Sequence, residues 1–100
     1  MAGGYRITTI NLTAGNSFTI VGDMNITAAS WKMSSGASDA GTVTGNGLIL
    51  GADGITQFGG DAVALGPGDG DTFIAPSSNQ PIDGITLACT TGTLKIILGQ

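Results

Sequence analysis

Ile85-Thr86-Leu87-Ala88-Cys89-Thr90-Thr91-Gly92-Thr93-Leu94-Lys95-Ile96-Ile97-Leu98 is the stretch on which the fold class turns. Ile85, Leu87 and Cys89 alternate with Thr86, Ala88 and Thr90; beyond Thr91-Gly92, Leu94, Ile96 and Leu98 alternate with Thr93 and Lys95. A period of two belongs to strands with one face in the core. Two such runs around a glycine-containing turn predict a β-hairpin. Ile97 breaks the alternation. It shares a face with Lys95, which makes that face either a second buried surface or a contact.

Upstream, the same reading continues in shorter pieces. Tyr5–Leu12 sets Tyr5 and Ile7 on one face and Ile10 and Leu12 on the other, which predicts a bulge at Thr8-Thr9 or a strand covered on both sides. Ser17–Val21 turns Phe18 and Ile20 inward. Met24, Ile26 and Ala28 are expected inward, with a change of parity to Trp31 and Met33. Ser34–Gly41 is a polar, small-residue segment without periodicity, the expected mobile loop. Thr42–Thr44 and Leu48–Leu50 flank Gly45-Asn46-Gly47 as a second hairpin candidate. Ile55–Phe58, Ala62–Leu65 and Asp71–Ala75 read as short strands, and Pro76 and Pro81 bracket a loop. Turn signals recur about every 8–12 residues, the spacing of a sandwich or barrel. The expectation is a single all-β domain over residues 1–100, a jelly-roll-like β-sandwich of eight or nine short strands. An immunoglobulin-like core would need a Cys–Trp–Cys pattern that is absent.

A faint internal echo accompanies the strands. Leu12-Thr13-Ala14-Gly15-Asn16 resembles Leu65-Gly66-Pro67-Gly68-Asp69, and each leads into another strand. Duplication produces such an echo, and so does any pair of strand–turn–strand units in a glycine-rich chain.

Composition agrees and excludes much. The 100 residues are 41% apolar and 10% charged, with 18 glycines, three basic residues, no histidine and a net charge of −4. Glutamate is missing too, so exposed helices have little to be built from. Without histidine there is no Ser–His–Asp or Cys–His catalysis and no imidazole metal site. Arg6, Lys32 and Lys95 are too few to neutralise a run of phosphates, which argues against nucleic acid as a partner. No apolar run approaches the roughly 20 residues of a spanning helix, so no membrane is expected. The first residues also lack the basic segment and long apolar run of a signal peptide.

Individual candidates for chemistry each have a plainer reading. Gly68-Asp69-Gly70-Asp71 concentrates carboxylates, but it meets neither the EF-hand spacing nor the calcium nonapeptide pattern, and a capped turn accounts for it. Gly66–Gly70 has no lysine after it and no helix to open, so it is not a phosphate loop. Cys89 points inward by parity and reads as a buried, inert thiol. Asn11-Leu12-Thr13 and Asn25-Ile26-Thr27 match the glycosylation sequon, in a chain where threonine makes chance matches common. No cofactor, metal or catalytic residue is expected.

The Leu65-Gly66-Pro67-Gly68-Asp69 turn and the ending Pro81-Ile82-Asp83-Gly84-Ile85-Thr86 … Thr91-Gly92-Thr93-Leu94-Lys95-Ile96-Ile97-Leu98-Gly99 resemble small virion proteins of tailed bacteriophages. These include capsid decoration (cement) proteins and the β-modules of head fibres and tail tips. The resemblance implies a stable β-fold that trimerises or binds a shell at its symmetry axes, located in the virion after assembly in the host cytoplasm. The residues add that strands apolar on both faces (Ile10, Val21, Ile97) leave more apolar surface than one small sandwich hides. The expected role is capsid decoration, with the major capsid protein or another virion protein as partner. A homo-oligomer, three copies being the first expectation, would be held by contacts at Trp31, Arg6 and Ile97. The alternative is a receptor- or carbohydrate-binding module of a tail tip or fibre.

Overall fold

A computed structural model of the chain describes residues 6–45, 49–50, 57–58, 62–75 and 79–100. Ten strands form among them: β1 (Ile7–Thr13), β2 (Ser17–Ile20), β3 (Ala28–Met33), β4 (Ala40–Thr44), β5 (Ile49–Leu50), β6 (Gln57–Phe58), β7 (Val63–Leu65), β8 (Gly70–Ile74), β9 (Ile85–Thr91) and β10 (Thr93–Gly99). Eight of them make two antiparallel four-stranded sheets, in the orders β1-β10-β3-β8 and β2-β9-β4-β7, while β5 pairs with β6 alone. The chain is an all-β sandwich.

Its pairing is nested: β1 with β10, β2 with β9, β3 with β8 and β4 with β7. That is the order of one long hairpin folded over on itself into two sheets. Its consequence corrects the reading of the C-terminal stretch. β9 and β10 are strands, but they lie in opposite sheets and are not ladder partners. Alternation specifies which side chains point inward and says nothing about which strand lies alongside. Ile85, Leu87 and Cys89 therefore meet Leu94, Ile96 and Leu98 across the core, all buried. The corner between the strands is Gly92, at φ +88°, where an added Cβ would meet the Asp39 carboxylate and the Ser34 hydroxyl.

The second expected hairpin fails for a related reason. β4 already has β9 on one side and β7 on the other, so it offers no edge to the residues after Gly45. Ile49–Leu50 pairs instead with Gln57–Phe58. Asn46, Gly47, Leu48 and Ile55, parts of those expected segments, lie outside the described residues, as do Tyr5 and Pro76.

Three smaller expectations change as well. β1 has no bulge, since its register against β10 runs unbroken from Ile7↔Gly99 to Thr13↔Thr93. Ile7 simply faces out, 66% exposed, while Leu12 faces the core. The bulge lies between Ala40 and Gly41, where an added Cβ on Gly41 would sit 2.6 Å from the Ala88 carbonyl oxygen. The parity change before β3 comes earlier than expected, ahead of Ala28 rather than after it. A 3-10 turn at Gly22–Met24 ends on Asn25 in the left-handed region (φ 55°), a conformation asparagine tolerates. Ile26 is then buried from a loop, and Ala29, Trp31 and Met33, rather than Ala28, face inward.

The polar segment after β3 is knitted to the sandwich by hydrogen bonds. The Ser34 hydroxyl bonds the Asp39 carboxylate and accepts the Thr93 N–H at 2.9 Å, and Asp39 also accepts the Gly36 N–H at 2.9 Å. The internal echo marks two equivalent turns. Asn16 N–H reaches the Thr13 carbonyl and Asp69 N–H the Gly66 carbonyl, both at 3.1 Å. Gly15 (φ 87°) and Gly68 (φ 76°) hold the same position in each. Shifting β1–β4 onto β7–β10 maps one sheet order onto the other reversed, so the echo follows the topology of the two halves.

Candidate docking face

Residues that alternate with the core form the outer faces, and their rows can be read from the register. On the β1-β10-β3-β8 sheet the first row is Ile7, Gly99, Ala28 and Ile74. The second is Thr9, Ile97, Ser30 and Thr72, and the third is Asn11, Lys95, Lys32 and Gly70. The described residues include five large hydrophobic side chains that are exposed, and three of them, Ile7 (66%), Ile74 (62%) and Ile97 (39%), stand on this face. Such clustering, rather than exposure as such, distinguishes an interaction surface from ordinary scatter.

The third row carries two of the chain's three cations directly opposite one another, Lys95 on β10 and Lys32 on β3. Like charges in that position are destabilising by some tenths of a kcal/mol. Neither lysine forms an ion pair among the described residues. A groove of about 600 Å³ runs beside them, with Ser30, Thr72 and Ile97 among its lining residues, and a smaller one of about 310 Å³ reaches Asn11 and Thr93. The floor of the larger groove depends on Gly70. A Cβ there would lie 2.5 Å from the Trp31 carbonyl oxygen and 3.2 Å from the Lys32 Cα, so only glycine lets β8 close on β3.

The expected contact residues are distributed unevenly over this geometry. Ile97 is on the face. Arg6 is exposed at its rim, just before β1, with its carbonyl accepting the Gln100 N–H at 3.0 Å. Trp31 is not a surface anchor. It is 3% exposed and belongs to the core, because β3 turns Ala29, Trp31 and Met33 inward together. Ile7, Ile74 and the Lys32–Lys95 pair were not singled out from sequence. Parity places each on an outer face, but which strands lie side by side is not written in parity.

The acidic turn has the plain structure. Asp69 accepts the Gly66 N–H at 2.7 Å, and Asp71 accepts the Thr72 N–H at 2.7 Å. No group of three or more metal-ligating side chains occurs among the described residues. Cys89 is buried, 3.3 Å from the Gly92 carbonyl oxygen.

No protein family, curated protein or solved structure matches the chain.

Proposed function

We propose that the protein is a structural assembly module that docks through the outer face of the β1-β10-β3-β8 sheet, its role being capsid decoration in a phage virion. The observation that carries the docking reading is that Ile7, Ile74 and Ile97 are exposed on the one sheet face that also carries the facing Lys32 and Lys95. Burying the isoleucines supplies the drive, at about 25 cal/mol per Å² of apolar surface removed from water. Lys32 and Lys95 select a partner patch bearing carboxylates, which would relieve their mutual repulsion and fix orientation. The assignment to a phage shell rests on the resemblance of the turn and C-terminal phrases to virion proteins.

A carbohydrate-binding role draws less support. Sugar platforms use exposed aromatic rings, whereas among the described side chains Trp31 and Phe73 are core residues and Phe18 is half-buried. Quantitative mass spectrometry of particles purified from the producing culture tests the reading. Copies in the hundreds per particle are expected for decoration. A handful of copies would move the protein to a tail tip or fibre, and none would overturn the virion role.

A further inference from the structure

Four strands form the sheet edges: β1 and β8 in one sheet, β2 and β7 in the other. An edge presents unpaired N–H and C=O groups, and natural sheets blunt it by shortness, charge, proline or a bulge. Three of these edges follow that practice. β7 is three residues long, β2 is four, and β8 opens on Gly70-Asp71. β1 does not. Ile7–Thr13 is seven residues of ITTINLT with no charge, proline or glycine, in unbroken register with β10.

The groups on β1 that have no ladder partner among the described residues can be named. Gln100 donates to the Arg6 carbonyl, and the register continues from Ile7↔Gly99. Bonding alternates along an antiparallel pair, so Arg6, Thr8, Ile10 and Leu12 turn toward β10. Ile7, Thr9 and Asn11 turn their N–H and C=O groups to the open side. These groups are self-complementary about Thr9. In an antiparallel pair centred there, the N–H groups of Ile7, Thr9 and Asn11 on one copy meet the carbonyls of Asn11, Thr9 and Ile7 on the other.

We propose that a second copy of this chain occupies that edge, β1 against β1 across a two-fold axis at Thr9. Charge favours this occupant. In a chain of net charge −4, β1 and β10 carry no carboxylate side chain, so two copies meet there without opposing acids. The β8 edge would bring Asp71 toward Asp71. A two-fold contact also closes after one step and leaves no β1 edge to polymerise. The product is one continuous eight-stranded sheet whose two isoleucine–lysine faces point the same way. The pairing uses the strand edge and stands whether or not that face binds a shell.

Sedimentation velocity of the purified full chain, from low to high micromolar concentration, tests it. The wild type should approach twice the 9.8 kDa mass of one chain. Thr9→Pro removes an outward N–H and no bond of the β1–β10 ladder; Thr9→Lys charges the edge. Both should stay at the single-chain mass with an unchanged far-ultraviolet β spectrum. Should the proline variant lose that spectrum, the lysine variant decides. A wild type that stays monomeric, forms the expected trimer, or forms a dimer that both folded variants retain would overturn the proposal.

Discussion

The sandwich has two outer faces built by the same rule, and they are chemically different surfaces. On the β2-β9-β4-β7 sheet the rows are Ser17, Ala88, Thr42 and Ala64, then Thr19, Thr86 and Thr44. Every side chain is small and uncharged, and the Thr19 and Thr86 hydroxyls bond each other at 3.0 Å. The β1-β10-β3-β8 face has isoleucines at three of its positions and two lysines set against each other. Small hydroxyl side chains satisfy one another on a pleated surface and ask for nothing further. Exposed isoleucines and juxtaposed cations are both unfavourable in an isolated domain. On the proposed reading, the first face is finished as it stands and a partner completes the second.

The comparison depends first on which residues are inside, and there the largest effects are expected. Leu94→Ala or Ile96→Ala empties a fully buried site and should cost about 2–5 kcal/mol in urea unfolding. Ile97→Ala, one residue from Ile96 but on the outer face, should cost within about 0.5 kcal/mol. Equal costs would mean that the face is a second core. Cys89 gives a parallel check: it should resist thiol reagents in the native state and react once unfolded, and fast native labelling would put the β9 register off by one residue.

Next in size is Gly70→Ala, since its Cβ cannot fit 2.5 Å from the Trp31 carbonyl oxygen without moving β8 away from β3. A loss of about 1–3 kcal/mol is expected, the range of a forced backbone shift. Ala64→Ser, on the edge strand of the other sheet, should change unfolding by no more than about 0.5 kcal/mol.

Lys95→Thr sharpens the electrostatic half of the comparison. Removing one of two facing cations should raise stability by about 0.2–1 kcal/mol at low salt, with the gain fading as ionic strength screens the pair. It should at the same time weaken docking. A stability loss would show that Lys95 already has a favourable partner within the chain. Thr19→Ala is the smallest of the series, expected within about 0.5 kcal/mol with docking unchanged.

Much of this was legible in the sequence because burial on a sheet is written in alternation. Leu87, Cys89, Leu94, Ile96 and Leu98 were placed inward on that ground and Ile97 on the opposite face with Lys95, and all lie so; alternation leaves open whether that face is a second buried surface. The strands at Ser17, Ala62 and Asp71 were likewise marked by their turns. What failed was partnership. A run such as Thr93–Leu98 reads the same whether it pairs with the strand before it or with one 80 residues away, and the folded-over hairpin chooses the distant one. The outer-face rows depend on that choice, so Lys32 beside Lys95 and Ile7 in line with Ile74 were invisible. Trp31 misled for a different reason. As the sole tryptophan it invited a surface role, but parity within β3, shared with Ala29 and Met33, sends it to the core.

The central claim is that one face docks and the other does not. Hydroxyl-radical footprinting of the protein on purified particles, against the same protein free in solution, tests it most directly. Protection should fall on Ile7, Ile74, Ile97 and the side chains around Lys32 and Lys95, leaving Thr42, Thr86 and Ala88 as reactive as in the free protein. Protection of the threonine face in place of the isoleucine face, or equal reactivity of both in the two states, would contradict the account.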